Sequence, residues 1–199
     1  MKRVKLLVVA DTYYPKVDGT LKFMEEFVKR NWNEFEISLL VPNLGKGKNW
    51  PLEEKVDHII FIEPSKMISL SGYPNMKLNR MNINRVIKAI KEADVVFIQG
   101  PALISYLSIY YSSKYKKKTF FYVHTISWEL FGKFFPSILG HFFWRLIRKI
   151  SVFLYNKCDH ILVPYHGLRE SLINQGVKTQ IAVAKLGVDI DLFSPAKDK

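Results

Sequence analysis

The sequence predicts an α/β fold, a Rossmann-like, doubly wound parallel sheet of about seven strands. Three observations carry this. Short apolar runs alternate with segments of helical period along most of the chain, the pattern of strands interleaved with helices. Most segments between the runs are long enough for the helical crossovers that parallel strands require. The run Asp94 to Gln99 is almost continuously apolar, as in a strand covered on both faces.

Val4 to Ala10 reads as the first strand. Lys5 interrupts its apolar run and Asp11 closes it without a small-residue cleavage site, so a strand explains it better than a secretory signal. Thr20 to Trp32 reads as a helix with Leu21, Met24, Phe27 and Val28 on one face. Glu36 to Pro42 and His58 to Ile62 are the next strands. Between them Asn43 to Lys55, with Gly45, Gly47 and Pro51, reads as a loop. Glu63 to Asn75, broken by Pro64, Gly72 and Pro74, is expected to be irregular.

Asn79 to Glu92 repeats Ile83, Val86, Ile87 and Ile90 at helical spacing. After the strand Asp94 to Gln99 come a helix over Ala102 to Tyr115 and a strand over Thr119 to Val123. A long helix runs from about Ser137 to Lys157, with Ile138, Leu139, Phe142, Phe143, Leu146, Ile147, Ile150, Phe153 and Leu154 on a broad apolar stripe. Such a helix could lie on an anionic membrane, but a helix packed on a sheet needs the same stripe. The stripe is therefore expected to face the core, with Arg145, Arg148, Lys149 and Lys157 on the polar side. Ile161 to Val163, Gly167 to Gln175 and Gln180 to Ala184 complete the alternation as strand, helix and strand.

At 199 residues, 48% hydrophobic and 24% charged, the chain suits one large domain that needs no disulfide or metal staple. The single Cys158 cannot pair within the chain, which favours a reducing, cytoplasmic setting; it is expected to be a small buried residue at a helix end. No run of about 18 apolar residues is present. The net charge of +12 predicts attraction to phosphate, whether of a nucleotide or an anionic lipid. The basic residues are scattered, and no RNA-binding signature or zinc spacing accompanies them, so nucleic acid is not expected.

In such folds ligands bind beyond the carboxyl ends of the strands. There the first loop, Asp11 to Thr20, holds one glycine, Gly19, and so is neither a P-loop nor a dinucleotide loop. Gly19 can bring backbone amides close to a ligand at a helix start. Equally, Asp18 or Thr20 can simply cap the helix while Gly19 makes the turn. His124 follows the strand Phe120 to Val123 and can bind sugar hydroxyls, stabilise developing charge, or bond to backbone as a structural residue.

Together these segments resemble the first half of the GT-B glycosyltransferases of family 4. The resemblance runs through Asp11-Thr12-Tyr13-Tyr14-Pro15-Lys16-Val17-Asp18-Gly19, Asp94 to Pro101, Tyr122-Val123-His124-Thr125 and Cys158 to Pro164. It ends in Gly187-Val188-Asp189 with Phe193 and Pro195, which is similar to the family's link between domains. Asp18 stands for the first glycine of the family's usual pair, Gln99 where histidine is common, and Tyr165 where serine is. These departures bear on specificity.

The resemblance implies an acceptor-side domain over residues 1–186 and the start of a linker over 187–199, without the donor-binding second domain. It implies a retaining, metal-independent transfer with no cofactor, from a nucleotide-sugar donor to a sugar or lipid-linked acceptor. His124 would be catalytic, and Asp18, Gly19, Gln99, Gly100 and Tyr165 would bind substrate. The isolated chain is expected to show negligible transfer. Its charge, with Phe131, Phe134 and Phe135 ahead of the long helix, adds an expectation of weak contact with an anionic membrane at the inner face. The rival reading is a non-catalytic module for a phosphorylated lipid or sugar.

Overall fold

The computed structural model describes residues 2–30, 33–45, 52–70, 73–100, 102–126, 128–129 and 138–185. In chain order the elements are β1 (Val4–Ala10), α1 (Gly19–Lys29), β2 (Phe35–Pro42), β3 (His58–Ile62), β4 (Pro64–Leu70), β5 (Tyr73–Met76) and α2 (Arg80–Glu92). There follow β6 (Val95–Gln99), α3 (Leu103–Lys114), β7 (Lys118–Tyr122), α4 (Ile138–Tyr155), β8 (His160–Val163), α5 (His166–Asn174) and β9 (Ile181–Val183).

Seven strands form one parallel sheet in the order β3-β2-β1-β6-β7-β8-β9. The chain leaves β1 first to one side and later to the other, so β1 and β6 flank the topological switch point. Alternation along β1 divides it between two cores. Leu6, Val8 and Ala10 meet Leu21, Met24 and Val28 of α1 on one face. Leu7 and Val9 belong with Val86 and Ile90 of α2, Ile104 and Ile109 of α3, Leu154 and Tyr155 of α4 and Leu168 and Leu172 of α5 on the other.

At the amino end of the sheet one device recurs. Asp94, just before β6, accepts the Lys5 amide of neighbouring β1 at 3.0 Å. Asp57, just before β3, accepts the Ile37 amide of β2 at 2.8 Å. Asp159, just before β8, accepts the Thr119 amide of β7 at 2.8 Å. Each carboxylate ties one strand to the next and takes a basic partner or faces water. Arg3 pairs with Asp57 at 2.9 Å and Lys118 with Asp159 at 3.2 Å.

Two expectations are corrected. Glu63 to Asn75 is not irregular: β4 and β5 pair antiparallel as a small ribbon beside the main sheet. Proline opens β4 and follows the first residue of β5, places where a two-stranded ribbon tolerates a missing donor. The apolar stripe of α4 is not all spent on the core either. Ser151, Leu154 and Tyr155 are buried, but Leu146, Ile150 and Phe153 are exposed. Cys158 lies buried after α4, as expected, and burial pushes its thiol pKa well up. Residues 187–199, Phe131 to Pro136, and Pro101 lie outside the described residues.

Candidate functional site at the carboxyl end of the sheet

Strand register brings Gln99 and His124 together. Ala10, the last residue of β1, pairs with Gln99 of β6, and Gln99 pairs with Tyr122 of β7. His124 lies two residues beyond Tyr122, and its Nε2 sits 3.3 Å from Gln99 Oε1. An amide oxygen only accepts, so with the amide in this orientation Nε2 carries the proton and Nδ1 keeps its lone pair. The ring packs edge-on to Phe23 at 5.6 Å and against Tyr122 at 4.5 Å between centroids. Burial lowers its pKa from 6.5 to about 4, against the opposing pull of the Asp18 charge. The imidazole is therefore neutral at physiological pH.

Gln99 is fully buried, and its Nε2 has no hydrogen-bond partner. Thr12 Oγ1, just past the end of β1, is in the same state. Unpaired buried polar atoms cost free energy and concentrate where a ligand or water completes them.

Asp11 closes β1 and faces the start of α3. Its carboxylate accepts the Ala102 amide at 2.9 Å and the Ser105 hydroxyl. Burial pushes its pKa up to about 6, although the Ser105 hydroxyl and the first amides of α3 pull it down. Gly100 lies against this carboxylate with φ +104, and a Cβ there would stand 2.7 Å from Asp11 Oδ2. Gly100 thus serves the Asp11 contact directly, in a backbone conformation that other residues rarely adopt. Sequence reading missed Asp11. The signal was an aspartate ending the strand that borders the switch point.

Asp18 caps α1, accepting the Leu21 amide at 2.9 Å, as the capping alternative anticipated. It also stands close enough to His124 to act on its charge. Gly19 is the exposed first residue of α1, and a Cβ on it would meet nothing within 4 Å. It is a gap at a helix start rather than a strained turn. Behind it Tyr14 donates to buried Glu25, which Lys22 also holds at 2.7 Å. Burial alone would raise the Glu25 pKa, but these two hydrogen bonds and the lysine charges outweigh it and lower the value. Tyr165 stands exposed just before α5, beyond the end of β8 and so two strands from Gln99.

Hollows of about 110 and 410 Å³ lie instead at the amino end, lined by residues such as Lys5, Glu36 and His58 or Arg3, Asn33 and Asp57. Neither is lined by any of the carboxyl-end residues Asp11, Asp18, Gly19, Gln99, Gly100, His124 or Tyr165. Among the described residues no group of three or more His, Cys, Asp or Glu side chains is placed to hold a metal ion. Nor is any helix among them long and apolar enough to cross a membrane.

Residues 34–192 match the model of Glycosyltransferase Family 4. No curated protein matches the sequence. Among solved structures, the chain is similar to a Listeria monocytogenes protein described as a UDP-N-acetylglucosamine 2-epimerase (TM-score 0.56, 14% identity, 91% of this chain and 45% of that one). It is similar too to another UDP-N-acetylglucosamine 2-epimerase (TM-score 0.57, 14% identity, 92% and 48%). A third likeness is to a UDP-glucosyltransferase from Polygonum tinctorium capable of glucosylating indoxyl (TM-score 0.53, 11% identity, 100% and 56%). At these identities the likeness is one of fold, and the chain spans about half the length of each structure.

Proposed function

The chain belongs to Glycosyltransferase Family 4, and from that premise we propose that it is the acceptor-side domain of a retaining, metal-independent glycosyltransferase. The nucleotide-sugar donor would be held mainly by a second domain, and the acceptor would be a sugar or a lipid-linked sugar. The observation that carries the reading is the Gln99–His124 pair beside the α1 start at the switch point.

The pair limits what His124 does. A neutral ring whose Nε2 proton is given to Gln99 is no general acid near pH 7. Its free Nδ1 accepts a hydrogen bond. It would take a hydroxyl of the transferred sugar, hold that sugar in place, and place electron density near the carbon that becomes electron-poor as the glycosidic bond breaks. Gln99 sets the ring's tautomer, and its unpaired Nε2 is a donor left for substrate. The exposed Gly19 leaves the first turn of α1 open to a ligand's close approach, where backbone amides favour an anion such as a diphosphate. Asp18, whose carboxylate caps α1, would also accept from an acceptor hydroxyl. Gly100 lets β6 turn against Asp11, and Tyr165, exposed beyond the end of β8, would meet an outer part of the substrate.

The test is an assay of the longest protein that contains this chain, with a panel of sugar nucleotides and acceptors. The expected result is transfer with retained anomeric configuration, undiminished by chelator. Negligible transfer is expected from the 199-residue chain alone. Robust turnover by that chain, or inversion of the product, would overturn the reading. The rival module for a phosphorylated lipid or sugar draws on the +12 charge. It predicts binding of that ligand by the 199-residue chain with no turnover by any longer form.

A further inference from the structure

Helix α4 has an apolar residue where a helix packed on a sheet needs none. Its inward side is settled by buried Ser151, Leu154 and Tyr155, with Trp144, Ile147 and Val152 half-buried against the same core. On the other side Leu146, Ile150 and Phe153 are 42%, 44% and 57% exposed. Their spacing of four and three residues puts them in one line along the helix. An outward line of that kind is the pattern of an interfacial helix rather than of a buried one.

The charges beside it have one sign. Arg145 and Lys149 are exposed next to the line. Lys157 holds its ammonium 4.6 Å above the Phe153 ring, and Arg148 is turned away to Gln175 at 2.9 Å. The helix sequence contains no acidic residue. Two copies meeting face to face would bring these basic rims together, so the charge pattern disfavours self-association. An anionic lipid surface supplies both complements, negative headgroups for the rim and an apolar interior for the line. Long basic side chains can reach the headgroups while their stems lie along apolar surface. We infer that the outer face of α4, built on Leu146, Ile150 and Phe153 with Arg145 and Lys149, is a docking surface for anionic lipid membranes. The inference does not depend on the transferase reading.

The test is co-sedimentation of the 199-residue chain with phosphatidylcholine vesicles and with vesicles that also contain phosphatidylglycerol. Binding is expected to the anionic vesicles at low salt, weakened by added salt, with little to the neutral ones. Arg145→Glu/Lys149→Glu should reduce binding about tenfold or more. Ile150→Ser/Phe153→Ser should reduce it similarly, and because both side chains are exposed, circular dichroism and melting should stay close to wild type. Absence of binding to anionic vesicles at low salt overturns the inference. So does equal binding by both folded variants, or sedimentation as a dimer that the Ile150→Ser/Phe153→Ser variant abolishes while vesicles are ignored.

Discussion

The two ends of the sheet use the same kinds of residue in opposite ways. At the amino end Asp57, Asp94 and Asp159 each bind the amide of a neighbouring strand. At the carboxyl end Asp11 is held in a site that raises its pKa, His124 is kept neutral, and Gln99 and Thr12 hold polar atoms with no partner. The first arrangement is what a fold does to fasten strands. The second costs stability and is retained where a ligand completes it.

The difference can be broken residue by residue. The largest effect is expected at His124. In the longest protein that contains this chain, if it is the proposed transferase, His124→Ala should lower turnover about 100- to 1000-fold, the scale of one lost preorganised contact, with little change in melting temperature. Near-normal turnover in a folded variant would move His124 to the structural class of the amino-end groups.

Two glycines separate fold from site next. Gly100→Ala places a Cβ against Asp11 Oδ2 at a positive φ and should cost about 2 kcal/mol or more in denaturant unfolding. Gly19→Val enters open space, so stability should hold while acceptor affinity falls. An unchanged affinity would show that Gly19 does not line the site. Smaller still, Asp94→Ala should cost about 1 kcal/mol, the scale of a lost amide cap, without altering ligand binding.

The pH dependence sharpens the contrast. Asp57 has a lowered pKa: burial opposes ionisation, but Arg3 and the Ile37 amide outweigh it. Its stabilisation is present above the ordinary carboxylate pKa and is lost as pH falls through the lowered folded value. Asp11 has the reverse sign. With its pKa raised from 3.8 to about 6, stability rises as pH falls through that window. His124, lowered to about 4, loses stability as pH falls from 6.5. Between about pH 4 and 6 the two carboxyl-end groups therefore oppose each other. Asp11→Asn should steepen the acid-side loss of melting temperature, and His124→Gln should flatten it. Parallel curves for the two variants would show that the groups do not titrate as placed.

Much of this was legible in the sequence. The apolar alternation located the main-sheet strands to within a residue or two, because doubly covered strands leave a near-continuous apolar trace. Strand ends found Gln99 and His124 separately. Their pairing was hidden because it depends on the Gln99–Tyr122 register, which a linear pattern does not state. The β4–β5 ribbon was hidden by Pro64, Gly72 and Pro74, loop markers that also suit a two-stranded edge. The split of α4 between core and surface was hidden because its apolar residues surround most of the helix, and only packing decides which side faces in.

The central claim is that Gln99 holds His124 as a neutral acceptor at the switch point. Imidazole nitrogen-15 NMR of the histidines, with His124→Phe to identify the signal, tests it without substrate. The Gln99–His124 geometry predicts an Nε2–H tautomer that stays neutral to about pH 4, and loss of that single tautomer in Gln99→Leu. An Nδ1–H tautomer, or a ring that titrates near its ordinary 6.5 and ignores Gln99, would contradict it.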